Sequence, residues 1–261
     1  MPNYRSFLSI LLALLWLAGC LPGRPPLEAT NSPTIPPTST PPPVTPTVAP
    51  IPLEMRIQAS DGLQIAGTFT PGAGPAPQPA VLLLHMIYGK RGQWKALTPL
   101  LNERGIATLA IDLRGHGETS GTADWTLAAD DVLQAYRFLS SRPEVDAART
   151  GLVGASLGAN LALVGAAELP EKPCLALLSP GLDYYKVRTQ DAMKAYGLHP
   201  VFIAVSQGDS YAAESSEKLA QMAPGTAELH LFEGDAHGAD LLASQPALPG
   251  LLLDWLEGCL Q

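Results

Sequence analysis

A serine between two glycines is the most chemically suggestive feature of this sequence. The pentapeptide Gly154-Ala155-Ser156-Leu157-Gly158 follows an apolar segment and precedes a stretch with a helical pattern. Glycines on both sides permit a cramped turn from strand to helix, which exposes the serine hydroxyl above a sheet. We therefore predict that Ser156 is a nucleophile. The alternative is that Ser156 caps the N-terminus of the helix, a position that serine often occupies.

A serine hydroxyl is a weak nucleophile at neutral pH, so this hypothesis requires a base and an acid that orients the base. Asp209 lies just after a predicted strand, and His237 lies just after the last predicted strand. Loops at the carboxyl ends of parallel strands line the edge where such sheets bind ligands. We therefore predict that Ser156, Asp209 and His237 form a catalytic triad, in the chain order nucleophile, acid, histidine.

Other acids and histidines compete for these roles. Asp183, which follows another predicted strand, is a rival to Asp209 as the orienting acid. Asp235 and Asp240 flank His237 and are interpreted as loop or helix-capping residues. Among the other histidines, His199 precedes a predicted strand. His230 alternates with leucines, which predicts that it faces solvent.

The elements that must position these residues alternate along the chain. Segments 54–59 and 63–70 flank Ser60-Asp61-Gly62, which predicts an antiparallel hairpin. Short apolar segments then predict strands at 80–85, 106–112, 150–154, 174–179, 201–206 and 228–232. Helical patterns cover 94–103, 127–140, 157–168, 192–196, 211–222 and 248–258. The alternation predicts an α/β fold: a mostly parallel, doubly wound sheet of about eight strands with helices on both faces.

This layout resembles the α/β-hydrolase superfamily, most nearly its dienelactone-hydrolase-like branch of small members, over about residues 53–258. The resemblance implies that Ser156 is the nucleophile, that His237 is the general base and then acid, and that Asp209 orients the imidazole. Dienelactone hydrolases proper have a cysteine nucleophile. The serine in this chain therefore favours general esterase chemistry over their particular substrate.

Acyl transfer also needs hydrogen-bond donors where negative charge develops on the substrate oxygen. The backbone N–H of Leu157, next to the nucleophile, is one predicted donor. The resemblance implies that the other donor belongs to the loop after the third strand, and it points to Ile87. Met86 stands where the family often has glycine, so Met86 remains the alternative. The resemblance also implies that His85 supports this loop and that His116 lies near the site.

The segment from Ser179 to Asp191 is too short for a large cap domain, so we expect an open cleft for esters of small or medium size. Four aromatic residues are candidates to line this cleft, although packing in the core or at the rim explains each equally well. They are Tyr88, Trp125, Tyr184 and Tyr185. Lys90 and Arg91 could contact an anionic substrate or belong to a solvated loop.

Two functions of different classes fit these residues. The first is a serine hydrolase that cleaves carboxylic esters, with an amidase or peptidase as a variant because the same triad serves both reactions. The second is a lipid-anchored binding or scaffold protein that has the fold without the chemistry. The complete set of Ser156, Asp209 and His237 favours the first function.

Residues 1–19 predict a bacterial lipoprotein signal peptide. Arg5 precedes an apolar run of about a dozen residues, the length of a signal-peptide core and short for a bilayer span. The run ends in Leu17-Ala18-Gly19-Cys20, which resembles a lipobox. That resemblance implies cleavage before Cys20 and lipidation of its thiol, and so anchorage at the outer face of a bacterial membrane. An uncleaved transmembrane anchor is the alternative.

Residues 20–52 predict a tether, and residues 53–261 predict the catalytic domain. Prolines interleaved with threonines crowd the tether and favour extended conformations. The segment has too few large apolar residues to offset the entropy of ordering, so we predict a spacer without fixed structure. The interleaved hydroxyl residues leave glycosylation open.

Charge and cysteine content narrow the range of partners. The net charge of −8, without runs of lysine or arginine, argues against nucleic acid and against electrostatic docking on anionic lipid. We predict no metal and no cofactor, because Cys20, Cys174 and Cys259 lack the short spacing of a zinc site. The expected partners are a small ester substrate and the membrane that holds the lipid. The sequence leaves open whether Cys174 and Cys259 pair.

Overall fold

The computed structural model describes residues 51–261 of the chain. The predicted signal peptide, Cys20 and almost all of the predicted tether lie outside the described residues. Strands and helices alternate through the remainder. The strands are β1 (Leu53–Gln58), β2 (Gln64–Thr70), β3 (Gln78–Leu84), β4 (Ala107–Ile111), β5 (Val145–Ala155), β6 (Cys174–Leu178), β7 (Asp183–Tyr184), β8 (Val187–Arg188), β9 (Val201–Ser206) and β10 (Ala227–Phe232).

The helices occupy most of the connections between these strands. They are α1 (Leu97–Glu103), α2 (Trp125–Ser140), α3 (Leu157–Glu168), α4 (Gln190–Tyr196), α5 (Ser210–Met222), α6 (Leu241–Ser244) and α7 (Leu248–Cys259). Two 3-10 turns, Arg91–Ala96 and Gly238–Asp240, precede α1 and α6.

Eight strands form one sheet, in the order β1-β2-β4-β3-β5-β6-β9-β10. The first two strands form the predicted antiparallel hairpin, and β2 is also antiparallel to β4. From β4 to β10 all neighbouring strands are parallel. The predicted fold class is therefore confirmed, and the parallel part brings the carboxyl ends of six strands to one edge.

The sheet is buried on both faces, as the continuous apolar strands predicted. Along β3, Leu82 and Leu84 face a core cluster that includes side chains of α2 and α3. Val81 and Leu83 point to the opposite face, where they join side chains of α1 and α7. Successive side chains of a strand alternate between faces, so a run of apolar residues serves both cores.

The structure differs from the predicted elements in two places. The predicted helix at 94–103 is a 3-10 turn followed by the shorter helix α1. Pro99 lacks the N–H that a continuous α-helix would need at this position, but its place in the first turn of α1 is tolerated.

The segment between β6 and α4 contains the small hairpin β7–β8, whose turn residues Tyr185 and Lys186 have positive φ values of 53° and 72°. Side chains of these types rarely adopt this conformation, so the sequence did not indicate the turn.

A disulfide joins Cys174, the first residue of β6, to Cys259, the last residue of α7. Their Cα atoms are 6.0 Å apart, although 85 positions separate them in the chain. The crosslink ties the C-terminal helix to the centre of the sheet.

A buried ion pair connects the loop after β4 to helix α2. The guanidinium of Arg114 donates to both carboxylate oxygens of Asp131, at 2.7 and 2.6 Å, and also to Asp61 at 2.9 Å. The side chains of Arg114 and Asp131 are 6% and 1% exposed. The hydrogen bonds that Arg114 donates to Asp131 hold the pKa of Arg114 above its usual value, whereas burial raises the pKa of Asp131. The bidentate contact holds the loop against the helix.

Replacing Asp131 by Ala should lower the free energy of unfolding by about 3–5 kcal/mol, because it leaves the Arg114 charge buried without its main partner. The measurement is denaturant unfolding of the variant and the wild type. Asp191→Ala is the control, since Asp191 forms a fully exposed pair with Lys194 and should change stability little. Equal effects of the two substitutions would contradict this account of the buried pair.

Candidate active site

Ser156 lies at the turn that connects β5 to α3 and has φ 53° and ψ −120°. The glycines around it are required by close backbone contacts. A Cβ atom at Gly154 would lie 2.2 Å from the carbonyl oxygen of Gly158, and one at Gly158 would lie 2.3 Å from that of Leu84. The Ser156 N–H donates to the Leu178 carbonyl of β6 at 2.8 Å. The packing of α3 on the sheet thus imposes this strained turn.

The structure brings Ser156, His237 and Asp209 together in one chain of hydrogen bonds. The distance from Ser156 Oγ to His237 Nε2 is 2.6 Å, and that from His237 Nδ1 to Asp209 Oδ2 is also 2.6 Å. A carboxylate can only accept, so Nδ1 carries the proton and Nε2 of the neutral ring accepts from the serine hydroxyl. The Ser156 side chain makes no helix-capping hydrogen bond. The Ser156 side chain therefore does not act as a helix N-cap.

The rival acids lie elsewhere. Asp183, on β7, accepts hydrogen bonds from the Lys186 N–H at 2.8 Å and from the Arg188 side chain at 3.2 Å. It therefore serves the small hairpin rather than the imidazole. Asp235 and Asp240 are exposed on the loop around His237.

The predicted donors to a developing oxyanion are the backbone N–H groups of Leu157, directly after Ser156, and of Ile87 or Met86. The N–H of Met86 donates to the side-chain oxygen of Gln93 at 3.2 Å. The N–H groups of Ile87 and Leu157 have no hydrogen-bond partner within the part of the chain that the structure describes. Of the two alternatives in this loop, the geometry therefore favours Ile87. No pattern in the sequence indicated that the Gln93 side chain would bind the Met86 N–H.

His85 fastens the loop after β3 to the start of the loop after β4. Its Nε2 accepts from the Leu113 N–H at 2.9 Å, so Nδ1 carries the proton and donates to the Met86 carbonyl at 2.7 Å. The side chain is fully buried. Burial lowers the pKa of His85 to about 4, so the ring is neutral at pH 7 as these two hydrogen bonds require.

Ser179 supports the histidine loop in a way that its sequence context did not indicate. It is fully buried, has a positive φ of 50°, and follows directly after β6. Its Oγ accepts from the N–H of Gly238 at 2.9 Å, one residue after His237. The hydrogen bond joins two loops that are 59 positions apart in the sequence.

Tyr184 packs directly against the imidazole, whereas the sequence placed it only among possible cleft residues. Its ring meets that of His237 edge-on, with centroids 6.2 Å apart and planes at 87°. Tyr211 packs on it at 5.5 Å, and a Cβ atom at Gly181 would lie 2.7 Å from the ring. Burial, reinforced by the charge of Asp209, raises the pKa of Tyr184, so its phenol is protonated at neutral pH.

Aromatic rings continue from His85 along the loops at this edge of the sheet. The ring of His116 lies 5.3 Å from that of His85 and 5.7 Å from that of Trp125. Trp125 in turn lies 6.0 Å from Tyr185. Of the four predicted cleft aromatics, Tyr184 and Tyr185 belong to the small hairpin, Trp125 begins α2 and Tyr88 lies in the loop after β3, and Tyr88 and Tyr185 are the most exposed.

Two interpretations of charged or polar side chains are wrong. Arg91 does not face a solvated loop or a substrate, because its guanidinium forms ion pairs with Asp112, Glu54 and Glu118. His230 does not simply face solvent, since its ring lies 4.8 Å from that of Phe202 and its side chain is only 22% exposed. In both cases a distant segment of chain supplies the partner. Lys90 is exposed, as the solvated-loop alternative expected.

Comparison with known proteins agrees with this architecture. Residues 79–193 match the family described as the alpha/beta hydrolase fold. An uncharacterized protein of Mycobacterium tuberculosis is 32% identical over 144 residues, which are 55% of this chain and 51% of that protein. This chain therefore spans about half the length of that relative.

Two solved structures share the fold at low sequence identity. A dienelactone hydrolase from Anabaena variabilis superposes with a TM-score of 0.68 and 21% identity, covering 82% of this chain and 100% of the other. An acetyl xylan esterase from Paenibacillus gives a TM-score of 0.70 and 20% identity, with 83% and 86% covered. The protein thus has the α/β-hydrolase fold.

The neutral, buried state of His85 predicts a pH-dependent stability. In the unfolded chain the pKa returns to about 6.5, so the unfolded state binds more protons between pH 6.5 and pH 4. The contribution of His85 to the free energy of unfolding is fully present above pH 6.5. It falls as the pH is lowered through this window, by about 3 kcal/mol at pH 4.

His85→Gln should remove this dependence, so the stability difference between wild type and variant should shrink as the pH falls from 7 to 4. Denaturant unfolding at several pH values measures it, with His199→Gln at an exposed histidine as the control. A difference that stays constant over the range would contradict the assignment of His85 as a buried neutral ring.

Proposed function

We propose that this protein is a serine hydrolase that cleaves carboxylic esters of small or medium size through an acyl-enzyme. The observation that carries the proposal is the unbroken hydrogen-bonded chain from Ser156 through His237 to Asp209, with 2.6 Å at each step. The backbone N–H groups of Leu157, directly after Ser156, and of Ile87 have no partner among residues 51–261 and are the proposed oxyanion donors. Nucleophile, base, orienting acid and oxyanion donors are the parts that acyl transfer requires.

In the proposed reaction each group has one step. His237 Nε2 takes the Ser156 proton while Oγ attacks the ester carbonyl, and the N–H groups of Leu157 and Ile87 stabilise the negative oxygen. His237 then protonates the leaving alkoxide, and the acyl group remains on Ser156. Water, deprotonated by His237, attacks the acyl carbonyl, and the acid is released with the serine restored. Asp209 holds the imidazole in the required tautomer throughout.

Several further features support ester hydrolysis. The short hairpin β7–β8 occupies the place where a cap domain would insert, which leaves the cleft open to small substrates. Two proteins with the same fold are an acetyl xylan esterase and a dienelactone hydrolase. Amide substrates would use the same groups, so an amidase or peptidase is the variant that substrate screening must separate.

We also propose that the protein acts outside the cytoplasm, held at a bacterial membrane through lipidated Cys20. The lipobox-like sequence supports this location, and so does the disulfide between Cys174 and Cys259, because such bonds persist in oxidising compartments. Within residues 51–261, no helix has the length and hydrophobicity needed to cross a membrane. The tether would then hold the domain away from the lipid surface.

A fluorophosphonate probe should label Ser156, because the probe reacts with serine hydroxyls that a neighbouring base activates. Mass spectrometry locates the adduct, which should disappear in Ser156→Ala and weaken strongly in His237→Ala. Ester turnover in either variant should fall by about 10⁴-fold or more. Ser141→Ala, at an exposed surface serine, is the matched control. A folded protein that is not labelled would put the binding or scaffold function first.

The ring of Tyr184 should matter for activity because it packs on His237 and limits the orientations of the imidazole. Tyr184→Ala should lower kcat/KM by about 10- to 100-fold, since misplacing a catalytic group by about 1 Å can have effects of this size. Tyr184→Phe keeps the ring and should recover most of the activity. If the Phe variant is as impaired as the Ala variant, the hydroxyl rather than the ring carries the effect. Steady-state kinetics on one ester decides between them.

A further inference from the structure

A groove with a pair of aromatic rings lies between the start of α2, α3 and the small hairpin. Its volume is about 650 Å³, and the rings of Trp125 and Tyr185 face it with centroids 6.0 Å apart and planes at 51°. Apolar side chains complete the lining, namely Ala129, Val164 and Val187. The groove is large enough for a ring with substituents and is formed by α2, α3 and the small hairpin.

Two residues of the groove are linked through their neighbours to the candidate active site. Tyr185 directly follows Tyr184, whose ring packs on His237. On the other wall, the ring of Trp125 is 5.7 Å from that of His116, which neighbours His85 at the base of the proposed oxyanion loop. Tyr185 and Trp125 thus connect the groove to the elements that carry the candidate catalytic groups, and the proposal is that the substrate extends from Ser156 along this path.

The two aromatic side chains are held in place although neither is fully buried. The Asp124 carboxylate accepts from the N–H groups of Thr126 and Leu127, which sets Trp125 as the first residue of α2. Tyr185 is 52% exposed and adopts a φ of 53°, a conformation that costs free energy for a tyrosine. The neighbouring hydroxyl of Tyr88 also raises the pKa of Tyr185. A strained turn that presents an aromatic ring to solvent is typical of a ligand-contacting loop.

The rim of the groove carries positive charge. Lys186 is exposed and has no ion-pair partner within residues 51–261, whereas Arg188 is paired with Asp183. The Asp124 carboxylate is already engaged by the helix N–H groups, which limits its effect on a ligand. The unpaired ammonium of Lys186 therefore favours a ligand with a negative substituent.

We propose that this groove binds a planar aromatic group of the substrate against the contacting rings of Trp125 and Tyr185, with a negatively charged substituent directed toward Lys186. Aromatic rings gain from offset or edge-to-face contact beyond the burial of their surface, whereas a saturated ring of equal size does not. The substrate role rests on the proposed function. Binding of the ring itself does not depend on catalysis.

The direct test compares phenylacetate with cyclohexylacetate, which differ only in the ring. The probes are titrated into the full-length protein, and the affinity for each probe is taken from the probe's own saturation-transfer NMR signals, a readout that every variant retains. Phenylacetate should bind about 2- to 10-fold more tightly. Trp125→Leu should remove the preference, and Trp255→Leu, at a partly buried tryptophan on α7, should retain it. Equal affinities, no binding, or a preference unchanged in Trp125→Leu would each overturn the proposal.

A second ring variant keeps the test decisive if Trp125→Leu does not fold, and a further variant tests the role of the Lys186 charge. Tyr185→Asn removes the other ring while tolerating the positive φ, and it should also reduce the preference. Lys186→Gln should weaken binding of phenylacetate but not of uncharged benzyl alcohol. Equal loss for both probes would refute the role of the ammonium group.

Kinetics separates failure of the groove from failure of the enzyme function. If the protein hydrolyses esters, the ratio of kcat/KM for methyl phenylacetate over methyl cyclohexylacetate should fall in Trp125→Leu. A protein that reacts with the fluorophosphonate but shows no ring preference would retain the proposed function and lose the groove. A protein that binds phenylacetate selectively but leaves Ser156 unlabelled would show the reverse.

Discussion

Helix α3 begins so close to the sheet that its first turn touches the backbone of the neighbouring strands. A methyl group at Gly158 would collide with the carbonyl oxygens of both Leu84 and His85, and one at Gly154 would collide with Gly158 itself. The residue between them has to turn sharply, and it does so with a positive φ that a serine rarely adopts. The position of Ser156 above the carboxyl edge of the sheet follows from this contact, and the other candidate groups are arranged around that position.

The loops that meet at Ser156 are held by buried polar contacts rather than by regular secondary structure. His85 links the loop after β3 to the start of the loop after β4, and Ser179 links the end of β6 to the histidine loop. Arg114 and Asp131 hold the loop after β4 to α2. Each of these groups is buried, so an unmade hydrogen bond would leave a desolvated polar atom without a partner. Such contacts give loops a rigidity that their backbone alone does not provide.

Aromatic side chains divide the surroundings of the serine into two regions. Tyr184 belongs to the candidate catalytic centre because it packs on the imidazole, whereas Trp125 and Tyr185 enclose the groove beyond it. The small hairpin β7–β8 contributes to both regions with adjacent residues. Its strained turn therefore couples the shape of the proposed binding groove to the environment of His237, although its two strands contain only four residues.

The sequence by itself determined the order of elements, the parallel sheet and the turn at Ser156. These features depend on local patterns: apolar runs that suit strands buried on both faces, and glycines where the backbone must pass closely. The chain order of serine, aspartate and histidine added the expectation that three loops meet at one edge of the sheet. Only the tertiary structure decided that Asp183 serves the small hairpin, that Gln93 occupies the N–H of Met86, and that Cys174 pairs with Cys259. It also placed the Tyr184 ring on the imidazole and drew Arg91 into an ion-pair cluster. Each of these contacts depends on which side chain, remote in sequence, lies within contact distance in the folded protein. Packing across the whole sheet sets those distances, and no local pattern of residues encodes them.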